Sequence, residues 1–225
     1  MNITIKTSWD EITWREIEQI EQILNADIPK YYKSVHLISV LSNTPVEEIE
    51  KLPVTEFQKL TPHIDFLTTE PETHQHKFEY TVNGREYEFK GQIHEITTAQ
   101  YVDYRAYMDK EEKDVMELMS VFFIPKGHEY NDGYDMEQVK NDIGDMCWLD
   151  VRACSFFFRL WLASYILILK SSLVEEMKKE MRGKKHAEKK LIREQIKELE
   201  ESFDSSAASL LSYEFVNTLL PPLTL

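Results

Sequence analysis

Glycine is scarce. Six glycines in 225 residues leave little room for a glycine-rich phosphate cradle, and no P-loop, serine elbow, HExxH helix or kinase signature is present. Cysteine is scarcer: Cys147 and Cys154 are the only two. On one helix that spacing separates them by about 10 Å along the axis, too far for a disulfide. Two buried thiols in a reducing compartment are expected, without a disulfide framework or a zinc-ligand spacing.

Positive charge is also short. Lys and Arg number 26 against 40 Asp and Glu, a formal charge of −14. Bare DNA and anionic membranes repel such a surface at long range, so nucleic acid is expected only at a local basic patch. Long hydrophobic runs are missing too. Residues 153–169 are the most apolar stretch, yet they include Arg159, and the uncharged part, 160–169, is too short to span a bilayer. The stretch reads as a buried core helix, and no membrane span is expected. The first eleven residues have no basic segment leading into an apolar run, so no signal peptide is expected. Carboxylates are plentiful, but none can be paired into an acid–base dyad from sequence. No catalytic residue, cofactor or metal is assigned, and the chain is read as non-enzymatic. A small hydrolase or nucleotide-modifying enzyme would need converging carboxylates in a pocket.

What is there is ordinary globular composition, 42% hydrophobic and 29% charged, in a chain long enough to bury a core. The patterning is mostly helical. Residues 2–6 (NITIK) alternate and could form a short strand. Ser8/Glu11 and Thr13/Glu16 are capping boxes, one of which should start a helix carrying Ile17, Ile20 and Leu24 on one face. A second helix follows Pro29, through Val35, Ile38 and Leu41. Thr44-Pro45 is a cap followed by proline at the first helical position, and Pro53 and Pro62 punctuate the turns beyond.

The clearest local signal lies at 78–89: two alternating runs joined by Asn83-Gly84, the dipeptide of a type I′ hairpin. Phe78, Tyr80 and Val82 would share a face with Tyr87 and Phe89. Thr97 and Gln100 cap a helix whose Tyr101, Tyr104 and Tyr107 read as core. Another helix from about residue 112 through Phe122 should stop at Ile124-Pro125. Residues 126–135 read as a surface loop, and helix resumes near Met136, with Gly144 as its cap or bend.

Nothing breaks the helix from Trp148 to Met181, and 182–185 (RGKK) is a natural turn. Ile192, Ile196, Leu199 and Phe203 on the return arm keep coiled-coil spacing, so an antiparallel hairpin is expected, with Met177 and Met181 facing that seam. A short tail helix through Leu210, Leu211 and Phe215 should end at Pro221-Pro222. The fold class is therefore α+β, predominantly helical. A helical body over 1–170 holds a β-hairpin at about 77–93, to which an N-terminal strand could be added. A projecting charged hairpin and tail follow over 171–225.

Three clusters suggest chemistry. His74 and His76 have no third ligand nearby in sequence and read as solvated. Asn131, Gly133 and Asp135 fail the calcium-loop pattern, since Gly133 falls at the third position and Asp142 stands where the loop needs Glu. The hairpin tip is more distinctive. Lys178, Lys179, Arg182, Lys184, Lys185, Lys189, Lys190 and Arg193 stand against only Glu180 and Glu188, a local charge of +6. It reads either as a solvated arm or as a basic finger for an acidic partner or nucleic acid.

Four strings, 38–53 (ISVLSNTPVEEIEKLP), the hairpin 78–89, 96–103 (ITTAQYVD) and 123–127 (FIPKG) followed by 130–132 (YND), resemble a family of small proteins from Bacteroidetes-infecting phages, crAss-like phages among them. The resemblance covers roughly residues 1–170. It implies a virion cargo protein, packaged in the capsid or tail and ejected with the genome, or a tail-assembly chaperone that stays out of the virion. The implied partners are portal, tail-barrel or tail-tube proteins and further copies of the chain. The implied locations are the virion interior and the host cytoplasm during assembly and after ejection. No functional residue is carried over.

Overall fold

The structure, a computed structural model, describes residues 3–211 apart from 73, 93, 109 and 111–113. It is predominantly helical α+β, with a small three-stranded antiparallel sheet.

Both N-terminal capping boxes are used. The Glu11 carboxylate accepts the Ser8 N–H at 3.2 Å, closing a 3-10 turn at Trp9–Glu11. Thr13 and Glu16 cap each other's backbone N–H groups and open α1 (Trp14–Asn25), which buries Trp14, Ile17, Ile20 and Leu24. Helix α2 (Lys30–Ser42) follows and ends on Asn43 in the left-handed region, φ 48°. That ending takes Thr44 away from the role expected for it. Its N–H and hydroxyl both donate back to α2, to Ser39 O and Ser42 O, and Pro45 itself precedes the four-residue α3 (Val46–Ile49). Helix α4 (Val54–Leu60) runs directly into a 3-10 stretch, Thr61–Thr68.

The alternating N-terminus does not join the sheet: no strand forms over residues 3–6. There Lys6 N–H donates to Leu41 O at 3.0 Å, while Ile3 and Ile5 pack beside Val35, Ile38, Ile49 and Phe57. The alternation serves packing against α2 rather than strand pairing. The sheet consists of β1 (Glu79–Val82), β2 (Arg85–Phe89) and β3 (Phe123–Pro125), in that order. Asn83 and Gly84 both have positive φ, 51° and 76°, as a type I′ turn requires. Tyr80, Val82, Tyr87 and Phe89 are buried together, but Phe78, before the first paired residue, stays 48% exposed.

Helix α5 (Thr98–Met108) begins at the Thr97/Gln100 box. Tyr104 and Tyr107 are core residues, whereas Tyr101 is exposed. Helix α6 (Val115–Ser120) stops sooner than its apolar run suggests. Residues 121–124 are all buried, so this segment suits a buried strand as well as a helix, and β2 offers the partner: Phe123 pairs with Phe89. After α7 (Met136–Gly144), α8 (Trp148–Glu180) and α9 (His186–Leu211) form the antiparallel hairpin, turning at Gly183, φ 87°. Helix α9 continues unbroken through the start of the expected tail helix; Phe215 and Pro221-Pro222 lie outside the described residues.

The main apolar cluster draws on residues from Trp9 to Leu162, including the sheet. A backbone bridge between Thr13 and Cys147 locks the starts of α1 and α8 together: Trp14 N–H donates to Met146 O at 2.9 Å and Trp148 N–H to Ile12 O at 3.0 Å.

Candidate interaction surface on the long helical hairpin

Helix α8 has two natures. On its inner side Val151, Cys154, Phe158 and Leu162 are buried in the body. Burial pushes the Cys154 thiol up to about 12, so at neutral pH it is a protonated apolar group 3.0 Å from the Tyr80 hydroxyl. The outer side is a departure from the buried helix expected over 153–169. Phe156 (53%), Leu160 (46%) and Ile168 (65%) are exposed, and with Leu167 they fall on one stripe at helical spacing. Among the described residues, α8 alone is long and apolar enough to cross a membrane by length and composition. Arg159, buried and carried over the Phe156 ring at 5.9 Å, lies within that stretch.

Beyond Lys170 the two arms pack mainly on each other. Val174, Ile192 and Ile196 are buried between them, flanked by Met177, Met181 and Leu199, which places both methionines on the return seam. Lys170 closes the base of the hairpin on Asp204 at 2.6 Å.

The basic tip residues gather at the far end. Lys178 and Lys179 end α8, Arg182, Lys184 and Lys185 form the turn, and Lys189, Lys190 and Arg193 begin α9. Lys189 is half-buried and the other seven are exposed. Lys179 pairs with Glu175 at 2.9 Å and Lys184 with Glu180 at 3.4 Å. Exposed pairs of this kind contribute about 0.3–0.5 kcal/mol each and leave the tip net positive.

His74 and His76 part company. His76 stacks on Phe157, ring centroids 3.7 Å apart. His74, expected to be solvated, is held between two carboxylates: Nδ1 lies 3.0 Å from Asp150 Oδ1 and Nε2 2.7 Å from Asp10 Oδ1. Asp10 and Asp150 come from the 3-10 turn and the first turn of α8, far apart in sequence, and no local pattern could have announced them. Cys147 precedes α8 and is only half-buried, rather than sitting on a helical face with Cys154. The 126–135 loop is a set of turns with Asn131, Gly127 and Gly133 at positive φ.

Asp142 is the most connected buried carboxylate. It accepts from Asn83, Arg85, Tyr87 and Gln138. Burial alone would raise its pKa, but those donors and the Arg85 charge hold it below the usual carboxylate range. Its partners tie the hairpin turn to α7. The chain matches no protein-family model, no curated protein and no solved structure.

Proposed function

We propose that this chain is a non-enzymatic bacteriophage virion protein, carried as cargo in the capsid or tail and ejected with the genome. The reading rests on the resemblance carried by residues 38–53, 78–89, 96–103, 123–127 and 130–132. The observation that supports it best is the seam of the α8–α9 hairpin, where Val174, Ile192 and Ile196, flanked by Met177, Met181 and Leu199, form a small cluster separate from the main core. A protein expelled through a narrow tail must open and close again, and a hairpin whose apolar seam is separate from the main core can open without disrupting that core. Both cysteines are free, so no crosslink resists unfolding, and the charge of −14 disfavours adhesion to packaged DNA.

A specific observation favours a second reading, a tail-assembly chaperone. The exposed stripe of Phe156, Leu160, Leu167 and Ile168 is the kind of surface that shields an apolar partner before assembly.

Mass spectrometry of purified virions of the phage encoding the chain separates the two. Many copies per portal, lost when particles eject their DNA, is the result expected of cargo. Absence from virions with abundance in infected-cell lysate is the chaperone's signature, and absence from both rejects the phage reading.

A further inference from the structure

The surroundings of His74 supply more than a hydrogen-bonded pair requires. Asp150 Oδ1 stands 3.0 Å from His74 Nδ1, and the Cys147 sulfur lies within 4.8 Å of both groups' ligating atoms. Two light ligands about 2 Å from a tetrahedral ion are about 3.3 Å apart, so the imidazole and carboxylate already stand at ligand spacing. The thiol needs to approach by only about an ångström; burial raises its pKa in the free protein, while the N–H groups of Leu149 and Asp150 at the start of α8 point toward its sulfur.

The other ring nitrogen completes the pattern. His74 Nε2 meets Asp10 Oδ1 at 2.7 Å. A metal-bound histidine characteristically donates its second N–H to a carboxylate, which fixes its tautomer and orientation. The frame is rigid: the Thr13–Cys147 bridge sets the α8 start against the segment leading from Asp10. His74 is 29% exposed and Asp150 15%, leaving a solvent side for a water as fourth ligand.

We propose that His74 Nδ1, Cys147 Sγ and Asp150 Oδ1 bind a divalent zinc ion, with Asp10 orienting His74. Imidazole, thiolate and carboxylate together suit Zn²⁺ better than the all-oxygen preference of Mg²⁺ or Ca²⁺. Binding takes neutral His74, ionised Asp150 and the Cys147 thiolate, and releases the thiol proton to solvent. Lys77 Nζ, 3.8 Å from the other Asp150 oxygen, offsets part of the negative charge. The ion would pin the segment carrying His74 to the start of α8.

The test titrates chelator-treated full-length protein with Zn²⁺ by calorimetry and with Co²⁺ as a spectroscopic probe. One ion per chain is expected, with a thiolate-to-cobalt charge-transfer band that disappears in Cys147→Ser. His74→Gln, on a surface segment where folding is not at stake, should weaken binding at least about tenfold. Asp10→Asn should keep the band and weaken affinity about 10–100-fold. Absence of both heat and band overturns the proposal, as does binding that is unchanged in His74→Gln and Cys147→Ser.

Discussion

Arg85 and Asp142 meet at 2.7 Å across the junction of sheet and helix, the guanidinium half exposed and the carboxylate side chain 1% exposed. Removing the arginine leaves a buried charge with only neutral donors, so Arg85→Ala should destabilise the fold by about 1–3 kcal/mol in denaturant titrations. Because the folded pKa of Asp142 is depressed, its ionisation contributes stability above the unfolded carboxylate pKa, and that contribution is lost as pH falls through the folded value. Asp142→Asn should therefore show its largest deficit against the parent near pH 7, narrowing below about pH 4.

Glu21 shows the opposite sign. Burial first, then the neighbouring Glu18, raises its carboxyl to about 7. The folded state thus favours the protonated form, and the benefit is lost as pH rises from the unfolded value through about 7. Glu21→Gln should stabilise the protein by roughly 1–2 kcal/mol at pH 8 and by little at pH 5. Thermal melts at the two pH values check this.

Gly91 is needed for space rather than for backbone freedom. A Cβ built there would lie 2.6 Å from Cε1 of Phe89 and closer still to the ring tip, and Phe89 is 1% exposed in the core. Gly91→Ala should lower stability by about 1–3 kcal/mol, measured by chemical unfolding, because an aromatic ring in a packed core cannot yield cheaply.

The hairpin seam should open on its own. Ile196→Ala removes one of three buried seam residues and should speed hydrogen exchange along α9 by about tenfold or more, while amides of α1 and the first turns of α8 keep their protection. Equal loss of protection in both regions would mean that seam and body unfold as one unit.

These sites differ in how readable they are from sequence. The Asn83-Gly84 hairpin, the Thr13 and Thr97 capping boxes and the α8–α9 seam depend on neighbours a few residues apart, or on one repeating period, and all are visible in the string. What was not visible depends on pairing. Residues 121–124 are apolar enough for either helix or strand, and only the open edge of β2 decides between them. Residues 3–6 alternate like a strand but find α2 rather than an edge. The stripe on α8 could not be read as exposed, because hydrophobicity alone does not say which side of a long helix the body covers. The His74 cluster joins three segments distant in sequence, two of which the Thr13–Cys147 bridge brings side by side.

That bridge also constrains the order in which the molecule can be completed during synthesis. The backbone groups of Ile12 and Trp14 find their partners only when Met146 and Trp148 have left the ribosome. Until then α1 lacks the segment that closes its N-terminal end, and closing so long a loop is entropically slow. The α8–α9 hairpin, made of near neighbours, can form as soon as it emerges. The hairpin is thus free to fold without waiting for the body that anchors it to close.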